Sequence, residues 1–172
     1  QDSLDLKNDN AQADEDGSVT IKVLKNDGLK DKSNLILEIV EKPKFGTAAI
    51  DGLSIKYTPE PDKNGVDNFK YKVDIGTASG IAQVKVNVNP INDPPIGISI
   101  DKNSIAENTP AGTIIGKLRV VDPDEKDSHK FSLSRDDKPN FSLDGSNLLS
   151  KRPYDYEEKS YYSVSIQVTD SE

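Results

Sequence analysis

The chain has 172 residues, of which 33% are hydrophobic and 30% are charged, and its formal net charge is -8. This length fits one ordinary domain or two small ones, and no stretch approaches the roughly 18 apolar residues of a membrane-spanning helix. The acidic balance disfavours nucleic acid as a partner, and the absence of cysteine with a single histidine excludes disulfides and thiolate metal sites. We therefore expect no nucleic acid partner, no membrane insertion by this segment and, because most catalytic side chains are lacking, no enzyme activity.

Apolar and polar residues alternate through most of the chain, in order at residues 19–23, 69–73, 84–88, 118–120 and 164–168. A period of two is typical of strands with one buried face. Turn dipeptides such as Asp51-Gly52, Asn64-Gly65 and Asp144-Gly145 separate the runs, and no stretch has the 3.6-residue period of a helix. The pattern predicts an all-β protein built as antiparallel β-sandwiches.

A proline-rich segment, Asn89-Pro90-Ile91-Asn92-Asp93-Pro94-Pro95, divides the chain nearly in half. Proline lacks the backbone donor that a central strand needs, so the segment is predicted to be a stiff linker. Residues 4–10 echo its pattern of two apolar strand positions followed by Asn-Asp, which indicates a tandem array. We therefore expect the end of a preceding repeat and its linker at 1–10, one sandwich at 11–93, and a second at 94–172 that lacks its last strand.

Acidic residues and asparagines gather where strands are predicted to end, as in Asp122-Pro123-Asp124 and Asn92-Asp93. Such residues are common in turns, because their side chains mimic turn hydrogen bonds, and any one cluster is explained by turn chemistry alone. When several such clusters occur in order along the chain, we expect a bound cation. Converging carboxylates repel each other unless a cation lies between them. Calcium prefers such oxygen ligands, whereas zinc and copper prefer nitrogen and sulfur.

The second half carries five separated elements in a fixed order. They are Ile105-Ala106-Glu107-Asn108, Gly112-Thr113 with Gly116, Val121-Asp122-Pro123-Asp124, Tyr154-Asp155-Tyr156-Glu157 and Gln167-Val168-Thr169-Asp170. With these elements the chain resembles a cadherin repeat over about residues 94–172. Elements of the first half include Asp14-Glu15-Asp16-Gly17, Asn64-Gly65-Val66-Asp67-Asn68-Phe69 and the closing Asn92-Asp93-Pro94-Pro95. With these the first half resembles the bacterial cadherin-like, immunoglobulin-type repeats of large surface adhesins.

The resemblance implies two tandem Greek-key sandwiches of the immunoglobulin or cadherin type, with Ca²⁺ at the junction making the array rigid. Pro90 and Pro94 replace residues of the family's linker that have side-chain oxygens. We therefore expect this junction to bind fewer ions, or to bind them less tightly, than the family's usual junction. The metal ligands implied for the complete junction are Glu15, Asp16, Asp67, Asn92, Asp93, Asp122, Asp124 and Asp170. An N-terminal half-site would use Asn8, Asp9, Asn26, Asp27 and Asp74, and a C-terminal half-site would use Glu107, Asp155 and Glu157.

The expected function is a calcium-binding tandem module of an extracellular bacterial surface or adhesion protein. Its expected partners are neighbouring repeats of the same chain, with a cell-surface protein or a polysaccharide beyond them. The alternative is a carbohydrate-binding module of a secreted protein, for which the tyrosines at 154, 156, 161 and 162 are the only aromatic cluster. A third reading uses Asp155 and Glu157 as the paired carboxylates of a glycosidase, but two small sandwiches offer little depth for an active site.

Overall fold

The computed structural model describes residues 2–30 and 32–170 and shows strands joined by turns and loops. The chain divides into two compact units, Gln1–Ile91 and Asn92–Glu172. The all-β prediction is confirmed, and the described residues include no helix that is long and apolar enough to cross a membrane.

The described part of the first unit contains two facing groups of strands. One sheet has the order β1-β8-β7-β4, with β2 also paired to β8, and the other has the order β3-β6-β5. The strands are β1 (Asp2–Ser3), β2 (Asp9–Asp14), β3 (Val19–Ile21), β4 (Ile36–Glu41), β5 (Gly46–Asp51), β6 (Ser54–Pro59), β7 (Gly65–Asp74) and β8 (Ala78–Asn89).

The core of the first unit lies where the alternating runs of β6, β7 and β8 face each other. Tyr57, Phe69 and Tyr71 are fully buried, and the rings of Tyr57 and Phe69 are stacked with their centroids 6.2 Å apart. Complete burial of side chains this large stabilises the fold by roughly 1.5–3 kcal/mol each. The strand runs at 69–73 and 84–88 therefore provide the centre of this core, as their alternation predicts.

The first two strands pair with the last strand of the first unit in parallel, not antiparallel as the sequence suggested. Asp2 lies beside Ala78, and Asp9 to Asp14 lie beside Val84 to Asn89. Parallel neighbours need a long crossover, and here most of the unit intervenes between the paired strands. β1 and β2 are consequently strands of the sheet of the first unit, and the expected end of a preceding repeat at 1–10 stays a prediction.

The second unit has two smaller sheets among its described residues. One has the order β12-β13-β10-β9, and the other pairs β11 with β14. The strands are β9 (Gly97–Ile100), β10 (Ile114–Val121), β11 (His129–Leu133), β12 (Phe141–Asp144), β13 (Asn147–Ser150) and β14 (Ile166–Asp170). The buried hydrophobic cluster between the sheets is small and consists of Ile115, Phe141, Leu148 and Tyr154.

Two predicted turn dipeptides close tight hairpins. Asp51 pairs with Ser54 across β5 and β6, and Asp144 pairs with Asn147 across β12 and β13. In each two-residue loop the first position is a glycine with positive φ, 59° at Gly52 and 56° at Gly145. This left-handed conformation is what tight hairpins require and what glycine adopts without steric cost.

The last strand starts two residues later than the alternation at 164–168 predicts. β14 begins at Ile166, opposite Leu133, and the backbone N–H of Ser165 donates to Asp137 Oδ2 at 2.8 Å. The Ser134 hydroxyl donates to the same oxygen at 2.6 Å. The Asp137 carboxylate thus occupies the donor that would have extended the ladder.

Asp137→Asn should lower the melting temperature of the second unit at neutral pH. The pKa of Asp137 lies below its ordinary value of 3.8, because the Ser134 hydroxyl and the Ser165 N–H stabilise the charged form. A carboxyl whose pKa is lowered by folding stabilises the fold above its unfolded pKa, and this stabilisation disappears as the pH falls. Thermal melts of both proteins should therefore differ at neutral pH and converge as the pH falls below 3.8; a constant difference would contradict this account.

Candidate metal sites

Three carboxylates meet in the loop between β10 and β11 of the second unit. Asp122, Asp124 and Asp127, here called the Asp122 cluster, each place a carboxylate oxygen within 4.8 Å of the other two. The loop is held by the Asp124 N–H, which donates to Asp122 Oδ1 at 2.8 Å, and by the Asp127 N–H, which donates to the Asp124 carbonyl at 3.1 Å. The conformation of the loop, fixed by these hydrogen bonds, therefore holds the three carboxylates close together.

A histidine lies beside the Asp122 cluster. His129 Nε2 lies 2.7 Å from Asp122 Oδ2, and the Asp122 side chain is only 4% exposed. The hydrogen bond with His129, together with the one from the Asp124 N–H, lowers the pKa of Asp122 and keeps this carboxyl ionised. One imidazole beside three carboxylates leaves net negative charge in the loop. A carboxylate offers about four lone-pair positions, so Asp122 retains acceptor capacity beyond these two bonds.

Residues at the start of the second unit converge on the same end. The Asp93 N–H donates to Asp124 Oδ2 at 2.7 Å, and carboxylate oxygens of Asp93 and Asp124 lie within 4.8 Å. The Asn92 amide donates to Asp170 Oδ2 at 3.2 Å, and Asp170 pairs with His129 at the end of β14. The structure thus brings together Asn92, Asp93, Asp122, Asp124 and Asp170, which the sequence grouped, and adds Asp127.

A second carboxylate group lies in the loops after β9 and β13. Glu107, Asp155 and Glu157, here called the Glu107 cluster, have carboxylate oxygens within 4.8 Å of one another. The Tyr156 N–H donates to Glu107 Oε2 at 3.1 Å, and the Glu157 N–H donates to Asp155 Oδ1 at 2.9 Å. All three acidic side chains are exposed to solvent. These are the residues that the resemblance grouped as the C-terminal half-site.

The two clusters occupy opposite ends of the second unit. β10 begins at Ile114, where Leu149 of β13 is its partner, and ends at Val121, directly before the Asp122 cluster. Its 8 residues span about 27 Å at roughly 3.4 Å per residue. The second unit therefore presents acidic oxygens at both ends of its strands.

Glu15 is the central acidic residue at one end of the first unit. It is 3% exposed, and its carboxylate accepts from the Asn64 amide at 3.0 Å and from the Ile91 N–H at 2.6 Å. Asp16, with φ 62°, is exposed, and its Oδ1 accepts from the Asp62 N–H at 3.2 Å. Carboxylate oxygens of Asp16 and Asp62 lie within 4.8 Å. Glu15 and Asp16 were expected at this end, whereas Asp62 and Asn64 were not.

Asp67 has a different role from the ligand role that the sequence suggested. It is completely buried in β7 and accepts hydrogen bonds from the Lys44, Phe45 and Asn68 N–H groups and from the Tyr57 hydroxyl, at 2.8 to 3.1 Å. Both carboxylate oxygens are thus used inside the fold. Burial and the neighbouring carboxylate raise the pKa of Tyr57, which stays a neutral donor. Asp67 ties the loop before β5 to the core.

The N-terminal set is only partly assembled. The Tyr71 hydroxyl donates to Asp9 Oδ2 at 2.9 Å, the Lys7 N–H donates to Asp27 Oδ1 at 2.8 Å, and the Asn26 amide donates to the Asn8 carbonyl at 3.1 Å. Burial, with a contribution from the Asp27 charge, raises the pKa of Asp9. Asp27 Oδ2 is buried without a hydrogen-bond partner among the described residues. Asn8, Asp9, Asn26 and Asp27 therefore form one group that is held by internal bonds.

Asp74 does not belong to that group. Asp9 lies beside Val84, which pairs with Phe69, and Asp74 is five residues further along β7, or about 17 Å away. Its carboxylate accepts from the Gly76 N–H at 2.8 Å and lies 3.4 Å from Lys72 Nζ. The predicted fifth member of the N-terminal half-site is instead a turn residue.

A cavity of about 480 Å³ opens beside the Glu107 cluster. The side chains of Tyr156 and Tyr161 in its lining are 64% and 76% exposed. Tyr162 packs against Tyr154 with ring centroids 4.7 Å apart, and Lys159 Nζ lies 4.6 Å from the Tyr162 centroid. The inner lining consists of core residues such as Ile115, Phe141 and Leu148. The cavity thus combines exposed rings at its mouth with an aliphatic interior.

Two family models match successive parts of the chain. A model described as a bacterial Ig domain matches residues 3–89, and a cadherin domain model matches residues 102–172. Human Protocadherin gamma-B7 is 33% identical over 101 residues, which are 54% of this chain and 11% of that protein. Human Protocadherin-12 is 35% identical over 102 residues, 54% of this chain and 9% of that protein. The matched segment is thus about a tenth of the length of these relatives.

Solved structures of cadherins share the fold. Protocadherin Gamma B7 extracellular cadherin domains 1-4 align with a TM-score of 0.61 and 17% identity, over 98% of this chain and 46% of that one. Drosophila N-cadherin EC1-4 aligns with a TM-score of 0.59 and 15% identity, over 95% of this chain and 44% of that one. At these identities the likeness shows tandem β-sandwich folds alone.

Proposed function

The chain belongs to the bacterial Ig domain family through residues 3–89 and carries a cadherin domain at residues 102–172. On this premise we propose that it is a calcium-binding tandem module of an extracellular bacterial surface or adhesion protein. The observation that carries the proposal is the Asp122 cluster, in which three carboxylates converge within 4.8 Å at the end of the unit where the linker enters. In this function no residue acts as a catalyst.

Calcium suits these clusters because of the chemistry of their donors. The side-chain donors of the Asp122 cluster and its neighbours Asn92, Asp93 and Asp170 are carboxylate and amide oxygens. Calcium takes about six to eight oxygen ligands at about 2.3–2.6 Å, and it tolerates irregular geometry. Zinc prefers histidine and cysteine, and only His129 is at hand. A divalent cation would turn the mutual repulsion of the carboxylates into attraction.

Acidic groups at both ends of a unit suit a module in a series. The Asp122 and Glu107 clusters lie about one strand length apart in the second unit, and Glu15 with Asp16 lies at one end of the first. An ion held at each end would join successive sandwiches into an ordered rod. In this proposal the neighbouring repeats of the same chain are the main partners. The parent protein would use the rod to reach and bind a cell-surface protein or a polysaccharide.

The linker is the segment that calcium would order. In the first unit the Ile91 N–H is bonded to Glu15, and in the second unit the Asp93 N–H is bonded to Asp124. Ile91 and Asp93 are two residues apart, so their Cα atoms are separated by at most about 7.6 Å. A calcium ion bound by Glu15 or by Asp124 would therefore lie within a few ångströms of the linker backbone. Binding so close to the linker would restrict its motion, which supports a role in stiffening the array.

Replacing both Asp122 and Asp124 by alanine should loosen the linker without unfolding either unit. Both side chains lie in a loop and outside the hydrophobic cores, so their loss removes calcium ligands and the anchor of the Asp93 N–H. In small-angle scattering with saturating calcium, the variant should show a broader distance distribution than the parent protein. After chelation with EDTA the difference between the two proteins should be much smaller, because only the Asp124 anchor of the Asp93 N–H then distinguishes them.

A matched control removes two charges elsewhere. Asp51→Ala with Asp136→Ala alters two exposed carboxylates that lie outside both clusters. This variant should keep the full response to calcium. If the control and the Asp122 variant respond equally to calcium, net charge and not a site governs the scattering. If EDTA leaves the scattering of the parent unchanged, calcium does not order the linker.

Saccharide binding is the second candidate, and the exposed rings of Tyr156 and Tyr161 favour it. Sugar rings stack on exposed aromatic faces, and both tyrosines line the cavity of about 480 Å³ with Asn103 and Ser104 as polar neighbours. Tyr161→Ala should then weaken retention on an insoluble polysaccharide panel and leave the melting temperature unchanged. If no polysaccharide of the panel retains the parent protein, saccharide binding is excluded as a function of this cavity.

A further inference from the structure

Asn64-Gly65 is the only Asn-Gly dipeptide in the sequence. It follows a turn in which the Lys63 N–H donates to the Glu60 carbonyl. Asn64 directly precedes β7, and Gly65 is the first residue of that strand. Both residues are exposed. Gly65 has φ 112°, and no atom lies within 4 Å of the place where a side chain would be. Both residues are therefore reachable by solvent, and no atom beyond the chain neighbours crowds Gly65, which pairs with Val88 at the first position of the β7–β8 ladder.

We propose that Asn64 is a site of spontaneous deamidation. The backbone nitrogen of Gly65 attacks the side-chain carbonyl carbon of Asn64, so that a C–N bond forms, the bond to Nδ2 breaks, and ammonia leaves with the proton that the Gly65 nitrogen loses. Water then opens the five-membered succinimide at either carbonyl and gives aspartate or isoaspartate. Glycine promotes the attack, because it has no side chain to hinder it and its backbone adopts unusual conformations freely.

The product changes the surroundings of Glu15. The Asn64 amide donates to Glu15 Oε2 at 3.0 Å, and Glu15 is buried. After deamidation this donor is replaced by a second carboxylate, and like charges at such a distance repel strongly when partly buried. The isoaspartate product also lengthens the backbone by one carbon directly before β7. The reaction therefore converts a hydrogen-bonded pair into a carboxylate pair, with Asp16 and Asp62 on the same loops.

The calcium consequence rests on the proposed function. A second carboxylate beside Glu15 adds an oxygen donor for a divalent cation at the end of the unit where Asp16 and Asp62 also lie. The deamidated protein should thus be less stable than the parent when calcium is absent, and it should gain more stability when calcium is added. The modification itself needs no metal, so the two claims fail separately.

The modification is tested by incubating the whole chain in mildly alkaline buffer at 37 °C and mapping the tryptic peptide of residues 64–70. The amide-to-acid mass shift should accumulate in this peptide faster than in any other asparagine-containing peptide, with separate aspartate and isoaspartate products. Asn64→Gln keeps the amide donor but closes a ring more slowly, so it should not show the shift in that period. A shift that is absent from residues 64–70, or equally fast in the glutamine variant, would overturn the proposal.

The consequence is tested with Asn64→Asp as a mimic of one product and Asn64→Gln as its uncharged control. In EDTA the aspartate variant should melt at a lower temperature than the glutamine variant, and calcium should narrow the difference. Equal melting in EDTA would overturn the claim about Glu15. A calcium effect that is the same in both variants would leave the deamidation result standing and contradict the calcium role of this loop.

Discussion

Saturating calcium should raise the melting temperature of the second unit by about 10 °C or more relative to EDTA. A ligand that binds only the folded state at 100 times its dissociation constant stabilises it by about 2.7 kcal/mol. In a domain of this size each kcal/mol shifts the midpoint by roughly 4–8 °C. The effect should be concentrated in the second unit, because both the Asp122 and Glu107 clusters belong to it. Differential scanning calorimetry at several calcium concentrations measures this shift.

An asparagine variant distinguishes a metal site from a general charge effect. In Asp122→Asn with Asp127→Asn, the side-chain shapes remain but two of the three converging charges are gone. Because hydrogen bonds from the Asp124 N–H and with His129 stabilise the charged form of Asp122, the variant should be less stable than the parent in EDTA. It should gain little from calcium, because two of the three charged ligands are gone. If the parent and the variant respond equally to calcium, the Asp122 cluster is not the binding site.

Asp67→Ala should lower the free energy of unfolding of the first unit by about 3 kcal/mol or more. Leaving a buried donor without its acceptor costs about 1–3 kcal/mol, and the change removes the acceptor of the Tyr57 hydroxyl and of the Lys44 and Phe45 N–H groups. The loss should be the same in calcium and in EDTA, because this carboxylate acts inside the fold. Calorimetry of the variant also identifies which transition belongs to the first unit.

Tyr57→Phe separates the hydroxyl from the backbone donors. It removes one donor to Asp67 and keeps the ring that stacks on Phe69, so its cost should be smaller than that of Asp67→Ala. In the double variant the two costs should not add, because the residues share one bond. Full additivity, or a loss in Asp67→Ala that calcium restores, would contradict the structural role of Asp67.

Alternation along the chain was sufficient to predict the fold class. The runs at 69–73 and 84–88 each lie in a strand whose buried face is the apolar one. Parallel pairing of β2 with β8 was not predictable in this way, because alternation fixes which face of a strand is buried and not which strand lies beside it. The late start of β14 depends on one side chain, Asp137, from a distant loop.

The ligand motif alone did not show which acidic side chains are buried, whereas the alternation of buried and exposed positions does. Asp67 has the same parity as Phe69, Tyr71 and Val73, so its side chain points into the core like theirs. Glu15 likewise continues the parity of Ala13, and it too is buried. Asp62 and Asp127 belong to no motif and lie in loops, and only the folded loops bring their carboxylates to the others.

Calcium binding at the Asp122 cluster can be seen in an anomalous difference map from crystals of the whole chain grown with calcium. A peak should appear at about 2.3–2.6 Å from carboxylate oxygens of Asp122, Asp124 and Asp127, the usual range of calcium–oxygen bonds. Crystals that hold calcium elsewhere, or that show only water between these three side chains at saturating calcium, would contradict calcium binding at this cluster.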